Sequence, residues 1–281
     1  MLAVRMTVEN IGGTTAPAGL GGAVARLTNP TGLSYANVYA ENDQLFGMSM
    51  NSKLDPATSV FGEWAYRPNA PLGYNSADVV AAFALRSPTS FLAVHKGILN
   101  VAPGATFDAY DRYGVVTGSL GTSKVLPKAL GADRFVLLGE VGFSHVNGLP
   151  DQNTMRYGRP LAYGTAADPG VPCTDTVPGK TCTNDGFVTV DSWGLRMLMS
   201  ATYGNALFGA NVTPSLLVAQ DMDGYSYDGT YSKGRSTVRP GLRLDWGKSY
   251  YTDLQYTLFS GGSYNLAMDR SYLSLVFGAR L

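Results

Sequence analysis

The sequence predicts an all-β protein, an antiparallel transmembrane β-barrel with about ten strands present and long loops, one carrying a short helix, gathered at one end. Three observations carry this expectation: a two-residue alternation of apolar and polar side chains, connections that are tight and long in turn, and a composition poor in charge. Only 15% of the 281 residues are charged, against roughly 25% in a soluble domain, and the 34 glycines exceed the roughly 20 of average usage. Net charge is zero, which gives no electrostatic footprint for nucleic acid.

The first strand is expected at residues 2–8, where Leu2-Ala3-Val4-Arg5-Met6-Thr7-Val8 alternates from the outset. A secretory signal would instead need a basic start, an apolar run and a small-residue cleavage site. The chain is therefore read as residues 1–281 of the C-terminal part of a single outer-membrane barrel domain, with its export signal and earlier strands lying elsewhere. Further strands are expected at 44–51, 60–67, 134–146, 187–203 and 211–221, and a weaker one at 107–122.

The last quarter alternates most clearly. In Val238-Arg239-Pro240-Gly241-Leu242-Arg243-Leu244-Asp245-Trp246 one face carries Val, Pro, Leu, Leu and Trp, and the other Arg, Gly, Arg and Asp. The runs 250–259 and 272–281 repeat the pattern. Each has about the nine to eleven residues that a tilted strand needs to cross hydrocarbon. No run approaches the roughly 18 apolar residues of a spanning helix.

Periodicity alone would equally suit a soluble sandwich; the connections separate the two. Short ones (52–57, 126–132, 204–210, 247–249) fall between long ones (10–33, 68–106, 147–186, 223–234, 260–269). A sandwich has no reason to keep its long loops at one end, whereas an outer-membrane barrel has short periplasmic turns and longer extracellular loops. That places the protein in a bacterial outer membrane, against outer-membrane lipid.

On this reading the lumen-facing candidates are Glu63, Arg67, Arg134, Glu140, Arg196, Arg239, Arg243, Asp245, Asp253 and Arg280. They either line a charged pathway or pair into salt bridges that fill the lumen, since buried charges must pair. Trp64, Tyr66, Tyr203, Trp246, Tyr250, Tyr256 and Phe277 suit the lipid face and its interfacial girdles.

Two loop features stand out. Cys173 and Cys182, in a Gly/Pro/Thr/Asp-rich stretch, read as a local disulfide made in an oxidising compartment, with free thiols as the alternative. In the loop 68–106, Ser76 is a good N-cap for a helix over 77–85, with Asp78 in its first turn. Its apolar residues Val79, Val80, Phe83 and Leu85 must bury, either as a gate or greasy contact at the barrel mouth or against neighbouring loops.

No enzymatic signature emerges. Ser144 and His145 are adjacent in a strand and so point to opposite faces, which prevents them from acting as a nucleophile and base. Asp221, Asp223 and Asp228 lack the order and distal Glu of a calcium loop. Gly12-Gly13 and Gly261-Gly262 match no phosphate-binding fingerprint. No metal site, catalytic residue or cofactor is expected.

The stretches Tyr39-Ala40-Glu41-Asn42-Asp43-Gln44-Leu45-Phe46-Gly47-Met48-Ser49 and Gly62-Glu63-Trp64-Ala65-Tyr66-Arg67-Pro68-Asn69-Ala70-Pro71-Leu72 resemble the proteobacterial outer-membrane family DUF1302. So do Leu138-Gly139-Glu140-Val141-Gly142, Leu149-Pro150-Asp151 and the closing run 272–281. The resemblance implies a C-terminal portion of a longer barrel that moves hydrophobic molecules or lipids across the envelope. It also implies a periplasmic lipoprotein-like partner and an inner-membrane exporter. A diffusion porin for small polar solutes and a structural or adhesive barrel with partner-binding loops are the alternatives. Barrel assembly machinery reads a terminal strand with a Gly, alternating apolar residues and usually a final aromatic; Gly278-Ala279-Arg280-Leu281 supplies the beginning without the aromatic, so either about two residues follow elsewhere or the end is atypical.

Overall fold

The computed structural model describes residues 2–8, 33–102, 105–168, 173–247 and 249–279. The chain is all-β and antiparallel. A three-stranded sheet joins β1 (Leu2–Val8) to β2 (Leu33–Tyr39) on one side and β5 (Thr106–Asp108) on the other. A nine-stranded sheet runs in the order β12-β11-β10-β9-β8-β7-β6-β4-β3. Its strands are β3 (Phe46–Asp55), β4 (Thr58–Gly73), β6 (Tyr110–Pro127), β7 (Arg134–Asn147), β8 (Asp191–Leu207), β9 (Ala210–Asp223), β10 (Ser236–Trp246), β11 (Tyr250–Ser260) and β12 (Tyr272–Ala279).

The described residues form twelve strands, with one at each of the ten expected places. β2 falls in a segment not read as a strand, and the weak reading at 107–122 divides into β5 and β6. Strand neighbours in this meander are neighbours in sequence, so each pairing forms through a local connection. Only β4 to β6 skips a strand, across the loop that holds β5 and two helices, α1 (Ser76–Leu85) and α2 (Phe91–Lys96). Among the described residues no helix is long and apolar enough to cross a membrane.

The tight connections sit at one end of the sheet and the long ones at the other, as the sequence predicts. β8 and β9 are joined through Phe208 and Gly209 alone, both at positive φ (48° and 75°). Such a two-residue turn twists with its strands but needs left-handed backbone, which is why Gly209 is there.

The register sorts side chains onto two unlike faces. One row across the sheet is Met48, Trp64, Gly118, Phe143 and Trp193; the next on that face is Met50, Gly62, Leu120, Val141 and Leu195. Leu242, Leu254 and Leu275 continue the face through β10 to β12. Leu120, Val141, Phe143, Trp193, Leu195, Leu242 and Leu254 are all exposed. Directly behind the first row lies a different one, Ser49, Glu63, Ser119, Gly142, Gly194 and Asp221.

Candidate functional site

Every described lumen-facing candidate lies on this polar face. Glu140 stands opposite Arg196, and Arg243 opposite Asp253. Glu63 shares the row with Ser49 and Ser119, Arg67 faces Val115, Arg134 faces Thr202, and Arg239 faces Leu217. Arg280 lies outside the described residues.

Some of these charges pair and some do not. Arg243 forks onto Asp245 (Nε to Oδ2 2.9 Å) and lies 3.8 Å from Asp253, with its guanidinium 4.4 Å from the centre of the Tyr251 ring. Arg67 reaches Asp43 at 3.3 Å. Arg134 and Arg239 have no ion pair among the described residues.

At the loop end the long connections fold over the polar face rather than standing away from it. Val115 and Val146, paired across β6 and β7 on that face, are buried. They belong to an apolar core with Leu72, Tyr74, Leu92, Met155, Tyr157 and Val188. The helix α1 contributes Val79 and Phe83, both almost fully buried, and Phe83 meets Phe107 edge-on at 5.8 Å. Packing against neighbouring loops therefore accounts for these two, while Leu85 is exposed and the Val80 side chain lies outside the described residues. The cap residue is Asn75, one position before the expected Ser76, and its side chain accepts from the Ala77 amide.

Buried polar groups fix this cap of loops. Asp111 accepts from the hydroxyls of Tyr74 (2.9 Å) and Tyr157 (2.6 Å) and from Lys96 (2.7 Å). Burial beside that carboxylate pushes both tyrosines well above the usual phenol range. Arg156, fully buried, joins Asp168 (2.7 Å) to Asp78 of α1 (3.4 Å) and stacks on Phe91 at 4.1 Å. Burial pushes the Asp78 carboxyl up to about 7 against the pull of Arg156. Arg159 donates to six backbone carbonyls, those of Tyr163, Gly164, Lys180, Thr181, Thr183 and Asp185. The same loop is closed by a Cys173–Cys182 disulfide.

The connection from β9 to β10, residues 224–235, also turns inward. Asp221 anchors it, accepting from Arg235 Nε (2.6 Å) and the Ser232 amide (3.0 Å). Its Tyr231 lies over the paired glycines Gly142 and Gly194, where a side chain on Gly142 would collide with the Tyr231 hydroxyl. The Arg196 guanidinium sits 5.7 Å from the ring. Between this loop and the sheet is a cavity of about 610 Å³ whose lining includes Ser49, Glu63, Arg67 and Ser119 on the sheet, and Asp228 and Tyr231 on the loop.

Sequence reasoning missed Tyr231, Arg156, Arg159 and Asp111, because their partners are distant in the chain. The available signal was glycine at polar-face positions 142 and 194, since glycine inside a strand marks the close approach of another group.

Of the remaining motifs, Gly12-Gly13 lies outside the described residues, and the others do not converge. His145 contacts Asp191 (2.7 Å), and the buried Ser144 belongs to the opposite face. Asp223 pairs with Lys233 (2.8 Å), and Asp228 takes Ser226 Oγ (2.7 Å) and the Thr230 amide, so these carboxylates do not converge as a calcium loop would require.

A protein-family model described as "Protein of unknown function (DUF1302)" matches residues 14–281. No curated protein and no solved structure matches the chain.

Proposed function

We propose that this chain, which belongs to the DUF1302 family, forms the wall of a bacterial outer-membrane barrel that moves hydrophobic molecules or lipids. One observation carries the reading: a face of large exposed apolar side chains continues across nine strands. Soluble proteins seldom expose contiguous apolar patches beyond a few hundred Å², and a lipid-facing wall requires one.

The arrangement of aromatics supports it. Phe46, Trp64, Tyr66, Phe143 and Trp193 lie toward the loop end of the apolar face, and Phe135, Tyr203, Trp246 and Tyr250 toward the turn end. Phe135 and Phe143 are about 27 Å apart along β7 at roughly 3.4 Å per residue, which for a strand tilted by about 40° is about 21 Å of height, near that of a membrane band. The charged opposite face then borders the lumen, with the 224–235 loop narrowing it. The protein acts without catalysis, alongside a periplasmic lipoprotein-like partner and an inner-membrane exporter.

A porin for small polar solutes is the second reading, favoured by Arg134 and Arg239, which have no ion pair among the described residues. Planar-bilayer conductance separates the two. Steady ohmic conductance with no copurified lipid fits the porin; bound apolar lipid and a closed channel fit the first reading. Failure to insert into liposomes would reject both.

A further inference from the structure

Among the long loops lies a second cavity, of about 440 Å³, separated from the polar-face cavity by the 224–235 loop. Its walls are chiefly apolar: Val188, Tyr225, Tyr264 and Leu266 present carbon to it. The lining also holds three arginines, Arg159, Arg235 and Arg270, and no carboxylate. Arg235 is answered from behind by Asp221, and Arg159 by backbone carbonyls. Arg270 is exposed and has no ion pair among the described residues.

A volume in the roughly 300–1,000 Å³ range with apolar walls and a few converging polar groups is the usual build of a small-molecule site.

We propose that this cavity binds a small apolar acid, an aliphatic or aromatic body ending in a carboxylate or sulfonate. The body lies against Tyr225, Tyr264 and Leu266, and the head group faces Arg270. Cations are disfavoured, because the lining carries arginines and no carboxylate. The proposal deepens the transport reading by naming a cargo class, and rests on that reading only for where the acid goes next.

The test uses the full chain in phosphatidylcholine nanodiscs, with a diazirine-bearing undecanoate as photolabel and its methyl ester as the uncharged control. The acid should label residues 264–267, unlabelled undecanoate should compete, and the ester should label at least tenfold less. Arg270→Ala should lower acid labelling similarly, and Arg270→Lys should keep most of it. Equal labelling by acid and ester, or label confined to strand residues such as Leu242 and Leu254, would overturn the site. Competition by phosphatidylglycerol as strong as by undecanoate would assign it to lipid head groups instead and also overturn the proposal. If Arg270→Ala alters the protease pattern of the loops, the acid–ester comparison on the unmodified chain decides. Loop labelling without undecanoate passage in proteoliposomes would retire transport and keep the site; passage without labelling would do the reverse.

Discussion

Tyr231 rests on Gly142, in a notch that exists because Gly142 and Gly194 face each other across β7 and β8 and neither carries a side chain. A loop docked this way has one favoured position above the polar face. Gly142→Val should expel Tyr231 and loosen the 224–235 loop, seen as faster proteolysis within it. Tyr231→Ala should empty the notch and loosen the loop in the same way. Unchanged proteolysis in Gly142→Val would mean that the Asp221–Arg235 pair alone holds the loop.

The strand faces predict an asymmetric response to charge. Leu244 shares its face with Val212 and Thr252, whereas Arg243 faces Thr213 and Asp253 on the other. Leu244→Arg should cost up to about 1 kcal/mol in barrel folding, the range for Arg near an interface, since Trp246 of the turn-end girdle lies two residues on, while Leu244→Val should be mild. Arg243→Leu should cost less than Leu244→Arg, although it abandons Asp245. Equal tolerance of the two charge changes in urea titrations of lipid-inserted protein would reverse the facing.

How much of this was legible in the sequence follows from the range of the interactions. A strand such as β10 shows its faces within nine residues, because alternation is a local property, and its neighbours follow from tight turns. Asp245 and Arg243 could thus be placed on one face before any coordinates. The loops obey no such period. That Arg159 would gather carbonyls from residues 163 to 185, or Tyr231 settle on Gly142 some ninety residues earlier, depends on tertiary contacts that no local pattern encodes. Even the helix α1 was visible only as a segment with a cap, and what it packs against was not.

The disulfide gives a topological test. Cys173 and Cys182 should resist alkylation until reduced, and after reduction an impermeant thiol reagent should reach them from outside intact cells. Replacing both by serine should destabilise the closed loop by roughly 2–3 kcal/mol on the chain-entropy model, read as faster cleavage within residues 161–185. Labelling of a cysteine introduced at Ser249 from the same side would contradict the placing of long and short connections at opposite ends.

Acidity should tighten the cap of loops. The Asp78 carboxyl titrates near 7 in the folded cap and near 3.8 when unfolded. With the folded value the higher, the folded cap holds more protons in between, so this contribution is complete below about pH 4 and declines as pH rises through 7. Hydrogen-exchange protection in α1, taken relative to the unstructured rate at each pH, should therefore fall from pH 5 to pH 8. Asp78→Asn should flatten that dependence, and an unaltered slope in the variant would assign it to another group.

The helix α1 offers the sharpest contrast within one element. Phe83 is nearly inaccessible and locked edge-on against Phe107, whereas Leu85, two residues on, is exposed. Truncating a buried phenylalanine leaves a cavity that the surrounding side chains fill only in part, so Phe83→Ala should cost about 3–5 kcal/mol, localised to the cap. The strands are held by their own ladders and should keep their folding midpoint. Leu85→Ser removes a side chain that is 38% exposed and should cost the cap clearly less than Phe83→Ala. If Leu85→Ser nevertheless reduces the passage of an apolar cargo in proteoliposomes, the exposed end of the helix contacts that cargo. If only Phe83→Ala reduces it, α1 acts by holding the loops in place.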